Sequence, residues 1–233
     1  MSLKKNKFSQ LRKRKLNKKL NLRGKKLVIA FALWGDKAKY NTGAIENAEL
    51  AKIIYPKWEC WFYVGSDVPQ ETISKLNSFS NVKLIFVNEP NNWTGMFWRF
   101  YCCSDSRVKA MMSRDCDSRL NFREKHAVEE WLLSDKKVHI MRDSWMHQAV
   151  MLGGMWGAKY PIFKDMVSLI NDYSKGDFWQ VDQNFLRDVI FPIVGNDGIS
   201  HDEILKWAPN PRPFPRKSPP RSESFFVGQA YNI

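Results

Sequence analysis

Residues 27–33 read Leu-Val-Ile-Ala-Phe-Ala-Leu, seven apolar side chains in unbroken succession. A strand with one wet face alternates apolar and polar residues, so a run of this kind predicts a strand covered on both faces. That restricts the chain to a sheet with helices packed on either side. The rest of the chain supplies those helices. Helical spacing of Ala44, Ala48, Ala51 and Ile54 predicts a helix from Gly43 to about Tyr55, stopped by Pro56. Glu59 to Val64 reads as a second strand, and Pro69 opens a short helix. Val82 to Val87 is a third strand, Thr94 to Cys103 a helix, and Val108 to Met112 a fourth strand.

Asn121, with Glu124 three residues on, predicts a capping box and a helix whose buried stripe is Ala127, Val128, Trp131 and Leu132. Lys137 to Met141 is a fifth strand, and two further helices are expected near 162–173 and 181–190. Six of the 11 prolines fall between Pro209 and Pro220, which predicts an extended segment there. Alternating β and α segments give an α/β fold: an open, mainly parallel sheet flanked by helices, in a single domain over 27–233.

The formal charge of +13 suggests a nucleic-acid binder until it is located. Residues 1–26 carry 12 Lys and Arg and no acid, leaving 25 basic against 24 acidic side chains in the rest. The basicity therefore belongs to a flexible N-terminal tail, and a nucleic-acid-binding role led by that tail is the weaker alternative. The tail could instead meet an anionic membrane surface. No apolar run approaches the ~20 residues that span a bilayer, and no apolar segment of a secretory signal follows the basic stretch. A soluble, cytoplasmic protein is expected. Cys60, Cys102, Cys103 and Cys116 lack metal-ligand spacing and read as buried, reduced thiols.

The stretch Arg114-Asp115-Cys116-Asp117 follows the fourth strand. In extended chain Asp115 and Asp117 would share a face, ~6–7 Å apart, with Cys116 turned into the core. Paired carboxylates at the carboxyl end of a strand sit where open α/β sheets bind ligands. Their hard oxygens suit Mg²⁺ or Mn²⁺ completed by phosphates and water. Such an ion would neutralise the charge on a departing diphosphate. The competing reading is two surface aspartates paired with Arg114 and Arg119. Neither a G-x-G-x-x-G nor a P-loop occurs, which leaves phosphates to the metal.

Several short motifs in order carry a resemblance. They are Leu33-Trp34-Gly35-Asp36 with Tyr40 and Gly43-Ala44-Ile45, Met96-Phe97-Trp98-Arg99-Phe100, Arg114-Asp115-Cys116-Asp117-Ser118-Arg119, His139-Ile140-Met141-Arg142-Asp143, Gly154-Met155-Trp156-Gly157, Asp182-Gln183, and His201-Asp202 with Phe226-Val227-Gly228. Together they resemble the GT-A glycosyltransferases, in particular the chlorella-virus capsid glycosyltransferases and their bacterial relatives.

The resemblance implies a metal-dependent transfer of a hexose or deoxyhexose from a nucleotide-diphosphate donor, a UDP-sugar, to a hydroxyl of a glycan or glycoprotein. An inactive donor-binding scaffold is the other alternative. Asp115 and Asp117 are then metal ligands through the DxD motif, with His201 a candidate third. Trp34, Gly35 and Tyr40 are expected at the nucleotide, with Arg99, Arg114, Gly153 and Gly154 also on the donor. Asp143, Asp182 and Gln183 are candidates for the catalytic or sugar-lining roles.

Overall fold

The computed structural model describes residues 24–174 and 176–231. Most of the basic tail, residues 1–23, lies outside them, and so does its expected mobility.

Strand β1 (Lys26–Leu33) is the apolar run, and seven of its eight residues are buried. The others are β2 (Trp58–Val64), β3 (Val82–Phe86), β4 (Val108–Ser113), β5 (Val138–Met141), β6 (Trp156–Lys159), β7 (Gly198–His201) and β8 (Pro211–Arg212). They form one sheet in the order β3-β2-β1-β4-β6-β5-β7-β8. Strand β6 runs antiparallel to β4 and β5, while the other pairings are parallel. The alternation of β1 divides two cores. Leu27, Ile29, Phe31 and Leu33 pack with helices α1 (Ala38–Ile54), α2 (Gln70–Asn77) and α3 (Phe122–Leu133). Val28, Ala30 and Ala32 face the 3-10 helix Trp93–Ser104, together with α4 (Met166–Asp172), α5 (Val181–Phe185) and α6 (Phe191–Val194).

Several details differ from expectation. Helix α1 starts at Ala38, before the predicted Gly43, and Pro69 stands just ahead of α2 rather than inside it. The Thr94–Cys103 segment winds as a tight 3-10 helix. Strands β6 and β7 were not anticipated. The Asn121 cap forms, its Oδ1 accepting from the Glu124 amide at 3.0 Å. The Glu124 carboxylate does not reach back: it is buried and accepts from Tyr55 Oη at 2.9 Å and Arg114 Nε at 3.2 Å. All four cysteines are free and buried. Among the described residues, no helix is long and apolar enough to cross a membrane.

Candidate active site

Strand β4 ends at Ser113, and the chain then turns. Asp115, Cys116 and Asp117 therefore lie on a turn beyond the strand, closed by Ser118 Oγ donating to the Asp115 carbonyl at 3.0 Å. Cys116 points inward as expected, its Sγ 3.5 Å from the Ala32 carbonyl. The turn is pinned from α1. Asn47 donates to the Ser118 carbonyl at 2.8 Å and accepts from the Leu120 amide at 3.0 Å. Gly43 makes the approach possible, since a Cβ there would stand 2.0 Å from the Cys116 carbonyl oxygen. Arg119 donates to the Cys116 and Ser118 carbonyls. From the other end of the chain, the Tyr231 amide donates to the Asp117 carbonyl at 2.8 Å.

Arg99, near the middle of the 3-10 helix, is buried and joins two distant carboxylates. Its Nη1 contacts Asp115, and its Nη2 donates to Asp182 at 2.7 Å. Asp182, at the start of α5, is buried, and burial raises its pKa against the opposing pull of Arg99. The backbone of Gly153 and Gly154 passes directly over this group. A Cβ at Gly153 would stand 2.2 Å from Asp182 Oδ2, and one at Gly154 2.0 Å from Asp115 Oδ2. The two glycines are thus close-approach positions, which an isolated Gly-Gly pair in sequence cannot distinguish from a turn. Gln183 follows Asp182 with its amide on the Gln180 carbonyl at 3.0 Å.

Lys39, on the first turn of α1, lies 3.5 Å from Asp117 and over the Tyr40 ring. It was not foreseen, because a lysine at a helix start reads as an ordinary solvated charge. Burial and the neighbouring Asp115 raise the Asp117 pKa, with Lys39 opposing. The side chain of Asp115 remains 42% exposed. Two carboxylates that repel one another, one open to solvent, fit a hard divalent cation such as Mn²⁺ or Mg²⁺. Among the described residues, no group of three or more His, Cys, Asp or Glu could hold a metal. Phosphate oxygens and water would have to complete the shell.

Three expected residues are placed elsewhere. His201 is fully buried on the α3 side of the sheet, its Nδ1 2.8 Å from His139 Nε2 and its Nε2 3.7 Å from Glu130. That packing keeps it from joining the aspartate pair as a metal ligand. Arg114 also turns into the core, where its guanidinium is taken up by Glu124 and the Ser113 and Trp156 carbonyls. Asp143 is fully buried and accepts from Arg123 Nε and Nη2, both at 2.8 Å, and from the Val227 amide at 3.0 Å. A carboxylate so engaged holds the C-terminal segment in place.

The loop after β1 has the expected position at the carboxyl end of the sheet. Gly35 has φ +75°, and its amide donates to Asp67 at 2.8 Å. Trp34 packs edge-on against Trp98, with ring centroids 5.9 Å apart, and Tyr40 is partly buried beside the core.

No family model matches the chain, and no curated protein does. Solved structures do. One is a glycosyltransferase involved in the glycosylation of the major capsid of PBCV-1, at 12% identity and a TM-score of 0.50, covering 76% of this chain and 82% of that one. Another is glucosyl-3-phosphoglycerate synthase from Mycobacterium tuberculosis with Mn²⁺, UDP and phosphoglyceric acid, at 9% identity and TM-score 0.52, covering 79% and 71%. The same enzyme with Mn²⁺, UDP-glucose and phosphoglyceric acid matches at 10% identity and TM-score 0.52, covering 79% and 72%. The chain has the fold of the GT-A glycosyltransferases.

Proposed function

We propose that this protein is a metal-dependent glycosyltransferase that moves a sugar from a UDP-sugar to a hydroxyl of a glycan. The observation that carries the proposal is the under-neutralised pair Asp115 and Asp117, set beside Arg99 under the bare backbone of Gly153 and Gly154. Mn²⁺ or Mg²⁺ on that pair would neutralise negative charge as the diphosphate departs, stabilising the transition state more than the ground state.

The chain's own residues supply the rest. Trp34, Gly35 and Tyr40 shape the place for the base. Lys39 adds a cation at the aspartate turn. Arg99 fixes Asp115 and Asp182 at once and can turn a guanidinium edge to the diphosphate or the transferred sugar. Gly153 and Gly154 let the Asp182 and Asp115 carboxylates close on the backbone, and Asp182 with Gln183 lines the sugar. Asp182 is poised for proton chemistry, because burial raises its affinity for a proton while Arg99 holds the carboxylate in position.

Thermal melts with Mn²⁺ and UDP test the donor half. We expect a rise in Tm that disappears in Asp117→Asn, and slow Mn²⁺-dependent hydrolysis of a UDP-sugar falling at least ~100-fold in the same variant. Absence of any Tm shift with UDP, GDP or TDP overturns the proposal. A Tm shift without hydrolysis or transfer favours an inactive donor-binding homologue.

A further inference from the structure

Three large aromatic side chains stand in solvent on segments that lead to Arg99 and Asp182: Trp93 at 40% exposure, Phe178 at 45% and Trp179 at 66%. They come from two segments that the fold ties together, the Trp93 amide donating to Asp177 at 2.9 Å. Each segment leads straight into the proposed site. Trp93 opens the 3-10 helix that carries Arg99, and Trp179 precedes Asp182 by three residues. Between Trp179 and α5, Gln180 holds φ +69°, a left-handed conformation that costs a non-glycine residue free energy. Its carbonyl is nevertheless fixed, accepting from the Gln183 and Asn184 amides at 3.0 and 3.1 Å. The turn that presents Trp179 is thus a built feature rather than a frayed loop end.

We infer that Trp93, Phe178 and Trp179 form a stacking platform for a pyranose ring of the acceptor, which makes the acceptor an oligosaccharide rather than a small phosphorylated acid. This rests on the transferase reading for the word acceptor, though not for the binding itself. A pyranose has one face of C–H groups and a rim of hydroxyls. An exposed aromatic ring removes the C–H face from water while the hydroxyls stay solvated, so indole and phenyl rings suit it better than they suit a charged headgroup. Exposed aromatics gathered beside a polar site mark ligand surfaces more often than chance exposure does. The place fits the occupant, because the two segments that carry the rings run on into Arg99 and Asp182. Asp177, at the junction, is engaged with the Trp93 amide, and its negative charge would repel a phosphorylated acid.

The test uses the full-length protein, with intrinsic tryptophan fluorescence and ligand-observed NMR as readouts. The probes are gluco-, galacto-, manno- and xylo-configured disaccharides, 3-phosphoglycerate, and vesicles of zwitterionic or anionic lipid. We expect at least one disaccharide to bind, with affinity about ten-fold weaker in Trp179→Ala and largely restored in Trp179→Phe. Circular dichroism of each variant confirms folding. Failure of every disaccharide to bind, binding undiminished in Trp179→Ala, or a response to vesicles or 3-phosphoglycerate alone overturns the platform. The Mn²⁺ and UDP melt is run in parallel. If UDP binds and saccharides do not, only the platform falls; if saccharides bind and UDP does not, the platform stands and the transferase reading falls.

Discussion

Two arginine-centred groups sit at the carboxyl end of the sheet, Arg99 with Asp115 and Asp182, and Arg123 with Asp143. They differ in how fully the carboxylates are used. Asp143 is wholly buried and receives three hydrogen bonds, two from one guanidinium and one from the backbone of Val227. Asp115 meets a single guanidinium arm, and Asp117 a lysine at 3.5 Å. A buried charge held by three donors is an anchor, and removing its guanidinium would leave it stranded. A charge that is half-solvated and crowded by its own kind gains from an added cation. The proposed chemistry is therefore assigned to the second group.

The largest expected effect comes from trading the two carboxylates. Asp143→Ala should cost ~3 kcal/mol in urea unfolding, because Arg123 loses its buried partner and keeps only the half-exposed Glu203. Asp115→Ala should cost less than ~1 kcal/mol, because Arg99 keeps Asp182 and the lost carboxylate was partly hydrated. Equal losses would erase the distinction.

Acid should damage the anchored group first. His147 Nδ1 accepts from the Asp143 amide at 2.9 Å, and burial pushes its pKa down from 6.5 to about 4. The folded state therefore disfavours the protonated ring. Stability is fully present above pH 6.5 and falls as pH drops toward 4, with His147 alone contributing ~3 kcal/mol. Buried His139 and His201 are shifted in the same direction. Melts from pH 7.5 to 4 would show the decline, and His147→Gln should flatten it. A profile unchanged by that substitution removes His147 from the account.

The smallest effect sharpens the open group. In Gly154→Ala the new methyl meets the half-exposed carboxylate of Asp115. It can move at little cost, so Tm in the absence of ligand should change little. Asp115 would nonetheless leave its position, and Mn²⁺-dependent UDP affinity, by titration calorimetry, should weaken about ten-fold. A large loss of Tm without loss of affinity would make Gly154 a packing glycine only.

Sequence reading reached the first four strands and the helices between them because their apolar patterns are long. It also read β5 but missed β6 and β7, equally short at four residues, because Trp-Gly-Ala-Lys and Gly-Ile-Ser-His carry no apolar run. The aspartate turn was legible as an acidic pair, although its strand-like spacing was not, since pairing stops at Ser113. Arg114 shares the parity of Met112, which packs in the core, so its inward direction could have been read from alternation. Asp143 and His201 offered no such clue. A carboxylate or imidazole beyond a strand reads the same whether it meets a cleft or an arginine 20 residues earlier. Lys39 and the platform aromatics were hidden for a related reason, because partners remote in sequence give them meaning.

Arg99 also couples parts of the molecule that share no backbone. Asp115 ends the central strand region, while Asp182 begins a helix 67 positions later, and one guanidinium grips both. Any ligand that draws Asp115 away leaves Asp182 as the sole counter-charge on that arginine, tightening the remaining grip. Displacing one carboxylate thus alters the electrostatic tension on the other, and under the proposed transfer that would link donor and acceptor through a single side chain.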